Sequence, residues 1–438
     1  MNRRRVLAAL ATGSAASLAG CGYAYGGGDV RDVESAGGSS VFAFDWSAHA
    51  VAGDRIALAE SGNSPFEGDR TAVDVVDRNA EEIGTFRHDG LSVGLAAGPD
   101  AERVYLRESA GDVVAVTPAA DDDVVGTGGV DDEDAEDDGN GEGAGNGSSD
   151  GSDADRVDDP DDWDGGEPSF SRVDAPDWRA SLADVIGEPA KGSDPVERRE
   201  AEPIAADARG AYVGSGAVVI AVRGGRADWT VEVDGPVRGL WCGGSGDSGG
   251  SGGPDGVVVA TADAVVELGP DGSRRWSYES GSGPSPTVDG DLVLLREGDD
   301  LLALDRPGGT VAWRTGVGGD GPPPMATDDR VAAVSRGELR VLDRGSGDPL
   351  WRAGAAPGRD RLRSLVVDAG RAYFVNRDGE AVAVDAADAG GGRAWTRSLE
   401  VRSSTVVDGW IDGETVAFAF DTGEFVWLQR YDEDPGLL

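Results

Sequence analysis

The sequence predicts an all-β chain: an eight-bladed β-propeller of quinoprotein-like type, with its last blade closed by a strand from the N-terminal region. Three observations predict it. One unit recurs along the 438 residues: an apolar strand, a tight polar turn, a second apolar strand, an Asp, a Gly-rich turn and an aromatic residue. Its period is roughly 43 residues once one long insertion is set aside, the size of a single four-stranded blade. The final copy, Glu414 to Leu428, carries the two middle strands and then stops, so its last strand must come from elsewhere.

The copies are plainest toward the C-terminus. Residues 289–313 read DGDLVLLREGDDLLALDRPGGTVAW, residues 328–351 DDRVAAVSRGELRVLDRGSGDPLW, and residues 368–395 DAGRAYFVNRDGEAVAVDAADAGGGRAW. Residues 211–229 and 257–276 carry the same unit, and residues 55–86 carry it with Phe86 in place of tryptophan. Residues 103–118 supply two strands of another copy, whose terminal strand at Trp178 follows an interruption. The repeat-ending aromatics are Trp46, Phe86, Trp178, Trp229, Trp276, Trp313, Trp351 and Trp395. Residues 41–46, VFAFDW, are the expected closing strand, which aligns Trp427 with the third strand of its blade rather than with this series.

Short apolar runs bounded by turns suit strands buried between sheets. Gly298-Asp299, Arg336-Gly337, Asp378-Gly379 and Thr422-Gly423 suit two-residue hairpin turns, so most of the 70 glycines read as turn chemistry. A tryptophan at a fixed point in each copy is a large apolar body with one N–H to satisfy. Regular spacing assigns it to docking against the neighbouring blade rather than to stacking on a sugar or quinone.

The unit resembles the PQQ-like repeat, written roughly Y-V-G-x-x-D-G-x-L-Y-A-L-D-x-x-T-G-x-x-x-W. Residues 420–428, FDTGEFVWL, and 301–305, LLALD, carry parts of it. The resemblance covers most of residues 41–438. One branch of that family comprises quinoprotein dehydrogenases. Another comprises non-enzymatic eight-bladed lipoproteins of BamB type. The dehydrogenase branch implies an adjacent Cys-Cys pair beside the quinone, a bound calcium and an aspartate base. Only Cys21 and Cys242 are present, so the adjacent pair is missing. Asp305, Asp343 and Asp385 recur with the repeat and cannot be singled out as a base.

Acidic residues number 82 against 39 basic ones, and Lys191 is the one lysine, giving a formal charge of −43. That excludes ordinary phosphate-backbone binding, so no nucleic-acid partner is expected. Self-repulsion of this size opposes compaction in dilute salt, but at molar salt a Debye length of ~3 Å screens it. The balance resembles that of extreme halophiles and points to a haloarchaeal source. His49 and His88 lie far apart, and no CxxC, HxxxH or HExxH spacing occurs. No metal or other cofactor is expected.

Residues 1–21 read MNRRRVLAALATGSAASLAGC. Arg3 and Arg4 before an apolar run too short to span ~30 Å of hydrocarbon resemble a twin-arginine export signal. Leu18-Ala19-Gly20-Cys21 resembles a lipobox, which implies cleavage after residue 20 and a lipid on Cys21. The expectation is a signal peptide over 1–20, a flexible Gly/Ser-rich tether over 21–40 and the propeller over 41–438. The anchored chain would sit, as a monomer, on the extracellular face of the cytoplasmic membrane, with a protein or envelope partner. Residues 119–176 are an acidic, Gly/Ser-rich insertion that cannot offset its ordering entropy, and they read as a disordered loop. Asn146-Gly147-Ser148 within it is a glycosylation sequon. Residues 183–203 and 243–256 read as further loops. The sequence thus favours an exported, lipid-anchored binding or scaffold protein without a catalytic site. An extracellular small-molecule-binding or sensor module is the first alternative, and a quinone-dependent dehydrogenase with a degenerate site the second.

Overall fold

The computed structural model describes residues 30–35, 46–64, 68–118, 175–186, 203–242, 256–280, 286–319, 321, 323–327, 329–335, 338–354, 362–368, 370–376, 379–386, 392–399 and 406–430. Their strands, β1 to β32 in chain order, form eight four-stranded antiparallel sheets, the blades of a β-propeller. Sheets 1 to 4 begin at residues 46, 92, 204 and 239, and sheets 5 to 8 at residues 287, 325, 362 and 406. The chain divides into two compact units. One, residues 36–279, holds sheets 1 to 4, and the other, residues 1–35 with 280–438, holds sheets 5 to 8.

Within each unit the core lies between consecutive sheets. Val73, Phe86, Leu106 and Val114 pack sheet 1 on sheet 2. Tyr105, Val113, Val213 and Ile220 join sheets 2 and 3, and Tyr212, Val219, Val257 and Leu268 join sheets 3 and 4. In the other unit, Leu294, Trp313 and Leu342 link sheets 5 and 6. Val341, Phe374 and Val384 link sheets 6 and 7, and Tyr373, Trp395, Phe418 and Val426 link sheets 7 and 8. In a sheet packed between two others of its own unit, the second and third strands are apolar on both faces. β12 (Val218–Arg223, VVIAVR) of sheet 3 and β28 (Glu380–Asp385, EAVAVD) of sheet 7 each bury their four central residues.

The closing strand of sheet 8 differs from the expected one. β1 (Val30–Ser35) pairs with β32 (Glu424–Gln429) and completes that sheet. Residues 30–35, expected within a flexible tether, are therefore a strand. Trp46 instead opens sheet 1 on β2 (Trp46–Ala52), which pairs with β3 (Arg55–Ser64). The turn between them explains the choice. Gly53 takes φ +65 and joins Ala52 to Arg55 by a two-residue connection. A local hairpin of this kind closes at little entropic cost, so it claims residues 46–52 for sheet 1 and leaves β1 to complete sheet 8. Trp427 lies on β32, the third strand of its sheet, as aligned. Residues 183–186, expected as loop, form a single helical turn.

Candidate functional site

Within each unit the repeated aromatics tie a sheet to the next: Phe86, Trp178 and Trp229 in one, Trp313, Trp351 and Trp395 in the other. Phe86, Trp178, Trp229, Trp276, Trp313, Trp351 and Trp395 all stand on fourth strands. In sheets 3 to 7 the tryptophan pairs with the third-strand residue immediately before a β-bulge. A bulge re-aims the side chain next to it. In sheets 3, 5 and 7 the indole N–H then reaches the following sheet. Trp229 Nε1 donates to the Pro270 carbonyl at 2.9 Å, Trp313 Nε1 to Arg344 at 2.8 Å, and Trp395 Nε1 to Arg430 at 3.2 Å. Trp276 differs: its Nε1 donates to buried Glu267 in its own sheet, at 2.7 Å.

The turn that accepts the indole is shaped for it. In sheet 6, Asp343 Oδ1 accepts the N–H groups of Gly345 and Ser346 at 3.0 and 2.9 Å. The Ser346 N–H and hydroxyl hold the Asp343 carboxyl below the usual carboxylate range. Gly347 closes the turn at φ +72, and a Cβ there would stand 2.6 Å from the Trp313 ring. The repeat's Asp, Gly and Trp are thus parts of one seam. Guanidinium groups lock the same seams. Arg344 bonds Asp289 and, at 2.9 Å, Asp291 of sheet 5. Arg430 bonds Asp368 and, at 3.2 Å, the Tyr373 hydroxyl of sheet 7. Burial alone would raise the Asp368 carboxyl, but the Gly370 N–H, the Arg430 guanidinium and the Arg371 N–H outweigh it and hold it low. In sheet 3, burial and then the bond to Asp207 push the Tyr212 phenol well up.

One polar cluster stands apart from this scheme. β5 (Glu82–Asp89) alternates in burial, so Phe86 and His88 share the face toward sheet 2, their rings 6.1 Å apart. Glu108 ends β7 (Val104–Glu108), where the chain turns through Gly111 into β8 (Asp112–Val116). Arg179 follows Trp178 on β9 (Trp178–Ser181). His88 Nε2 lies 2.5 Å from Glu108 Oε1, and Arg179 Nη2 lies 2.8 Å from the same oxygen. Arg179 also reaches Asp112 at 3.5 Å. The His88 and Glu108 side chains are only 3% and 5% exposed. Gly90 passes so close that a Cβ would stand 2.9 Å from His88 Nε2. Beneath it, Thr71 donates to the Gly90 carbonyl at 2.7 Å and contacts Ser61 and Ser92.

Sheet 5 shows what this cluster is built from. There Arg314, which follows Trp313, reaches Glu297 at 3.0 Å and Asp300 at 3.3 Å. Arg179, Glu108 and Asp112 hold the corresponding places in sheet 2. The histidine converts this surface arrangement into a buried one. Its chemistry is that of an electrostatic clamp between sheets, since one carboxylate oxygen holds both an imidazole and a guanidinium. Sequence reasoning missed it because Glu108 and Arg179 are separated by the long insertion, although the Trp-Arg dipeptide and the Arg-Glu strand ends were visible signals.

Among the described residues, no group of three or more His, Cys, Asp or Glu could hold a metal ion, and no helix is long and apolar enough to cross a membrane. Cys242 is half-buried on β14 (Gly239–Cys242) and packs against the apolar core between sheets 3 and 4. Arg3, Arg4, Cys21 and Asn146 lie outside the described residues, as do residues 119–174 of the insertion.

Residues 298–432 match the family described as the outer membrane protein assembly factor BamB. No curated protein matches the chain. Among solved structures, the chain is similar to a computationally designed protein, Ika8, at 14% identity and a TM-score of 0.50, over 88% of this chain and 97% of that one. It is also similar to BamB from Moraxella catarrhalis, at 10% identity and a TM-score of 0.48, over 89% of this chain and all of that one. At 14% identity the likeness to the designed protein is one of fold.

Proposed function

We propose that this chain is an exported, lipid-anchored scaffold protein that binds a protein or envelope partner at the extracellular face of the cytoplasmic membrane and catalyses no reaction. The observation that carries the reading is the match of residues 298–432 to an assembly-factor family. The repeat's distinctive groups are consistent with it, because they are spent on structure. The Asp residues cap turns or pair with arginine, as Asp385 does with Arg371 at 2.5 Å, and the tryptophans hold the seams. The anchor follows from the twin-arginine and lipobox resemblances at Arg3, Arg4 and Cys21.

Three measurements test the reading. Crosslinking of the anchored chain in native membranes should recover a reproducible envelope protein, and Cys21→Ser should release the chain from the membrane fraction. Dye reduction by the purified chain, supplied with pyrroloquinoline quinone, calcium and an alcohol or sugar, would overturn the non-enzymatic reading. Membrane retention of the Cys21→Ser variant would overturn the anchor.

A further inference from the structure

Seven of the eight sheets end on a strand nailed down by an aromatic ring. Phe86, Trp276, Trp313 and Trp395 are 2%, 8%, 7% and 8% exposed on those strands. Sheet 8 ends on β1, which has no aromatic residue in its sequence VRDVES. Residues 30–33 are all exposed there, Val30 at 37% and Val33 at 49%. The strand beneath is the aromatic one. Phe425 and Trp427 on β32 stack at 6.0 Å, and Phe425 meets Trp410 edge-on at 6.3 Å. The register sets Asp32 opposite Trp427 and Glu34 opposite Phe425. Directly opposed residues in an antiparallel pair share a face, and aromatic or β-branched residues pair best there. Acidic residues at these two positions are a poor match for two rings.

We propose that β1 is an exchangeable strand, and that the β32 edge it covers receives an extended segment of a partner protein. The segment would carry large apolar or aromatic side chains at the two positions held by Asp32 and Glu34, with basic residues flanking them. Such a segment would keep the main-chain ladder and extend the row formed by Trp410, Phe425 and Trp427, which is recognition by strand addition. The chain's formal charge of −43 favours basic flanks. The same charge argues against a second copy as the occupant, because its β1 would bring the same two acids. The proposal rests on the scaffold reading for its partner and adds to it the surface that the partner uses.

The test uses the full chain and a synthetic peptide of residues 30–35 carrying D32W and E34F, with two lysines at each end. A peptide with the native residues at those positions and the same lysines is the control. The substituted peptide should bind saturably and at least about tenfold more tightly than the control, about 1.4 kcal/mol. Amide exchange on β32 should be faster than on β31 (Thr415–Phe420), since a locally opening edge exposes its amides first. Ser35 and Glu424 are Cα partners, so an S35C/E424C pair can form a disulfide across the ladder. The oxidised variant should lose peptide binding and the reduced variant regain it. Equal binding of the two peptides, no binding by either, or binding unchanged in the oxidised variant would overturn the proposal. Those failures leave the crosslinking result standing, whereas quinone-dependent dye reduction would sink the scaffold reading without touching the peptide result.

Discussion

Gly347→Ala separates two costs that the repeat's glycine turn combines. The first is backbone strain. At φ +72 an alanine sits in the left-handed region, at a cost of about 1–2 kcal/mol. The second is overlap with Trp313, whose Cδ2 and Cε3 would each lie 2.6 Å from the new methyl group. Forcing an extra carbon into a packed seam costs about 1–3 kcal/mol. Gly298→Ala supplies the control: it has φ +59 and nothing within 4 Å of its Cβ position, so it bears the first cost alone. The two variants should therefore differ by about 1–3 kcal/mol, with Gly347→Ala the weaker. Urea unfolding followed by far-ultraviolet circular dichroism reads the difference as an earlier midpoint. In a Trp313→Leu background the ring is gone, and the gap between the two alanine variants should narrow to what Thr315 Oγ1, 2.9 Å from the same methyl position, still imposes. Equal midpoints in the native background would refute the reasoning, since they would show that the glycine serves the turn and not the ring above it.

The buried clamp and its surface counterpart give a second contrast. Glu108→Gln should cost about 3 kcal/mol, the low end for breaking a buried pair, because Arg179 is 44% exposed and keeps some of its water. Glu297→Gln in sheet 5 should cost no more than about 1 kcal/mol, as exposed pairs do. Chemical denaturation of both variants checks the ratio. Trp395→Phe keeps most of the ring's apolar burial and loses the bond to the Arg430 carbonyl, so a loss of about 1 kcal/mol is expected in the same assay. The Asp368 carboxyl is held low in the folded state, so the stability it contributes is present above its unfolded value and is lost as pH falls through the folded one. Unfolding midpoints at fixed urea should therefore fall steeply on acidification below about pH 4 and fall less steeply in Asp368→Asn.

The seams were legible in the sequence because their spacing is set by the sheet itself. An Asp, a Gly and a Trp recur at fixed intervals because the Asp caps a turn, the Gly passes under a ring, and the next Trp repeats the arrangement one sheet on. Periodicity reports local geometry of this kind. It placed the closing strand of sheet 8 at residues 41–46 and took residues 30–35 for tether, because VRDVES has two apolar residues and no ring whereas VFAFDW is mostly apolar. The competition turned on the Gly53 hairpin, which claims Trp46 for sheet 1. The clamp was illegible for the opposite reason. Glu108 and Arg179 meet within sheet 2, but His88 comes from sheet 1 and joins them only once the two sheets pack, so no spacing announces the cluster.

The same contrast bears on where binding can evolve in such a chain. Seven outer strands are committed: each carries a ring, and three of those rings are hydrogen-bonded into the following sheet. Replacing Phe86, Trp276, Trp313 or Trp395 removes a large buried side chain, a change that typically costs about 3–5 kcal/mol. β1 bears no such cost, since its exposed valines bury little and its two acids oppose aromatic rings. Main-chain bonds hold it, and any extended segment supplies those equally well. An outer strand that is cheap to replace, lying over rings that would accept better partners, makes the edge of sheet 8 more open to exchange than the seven other outer strands.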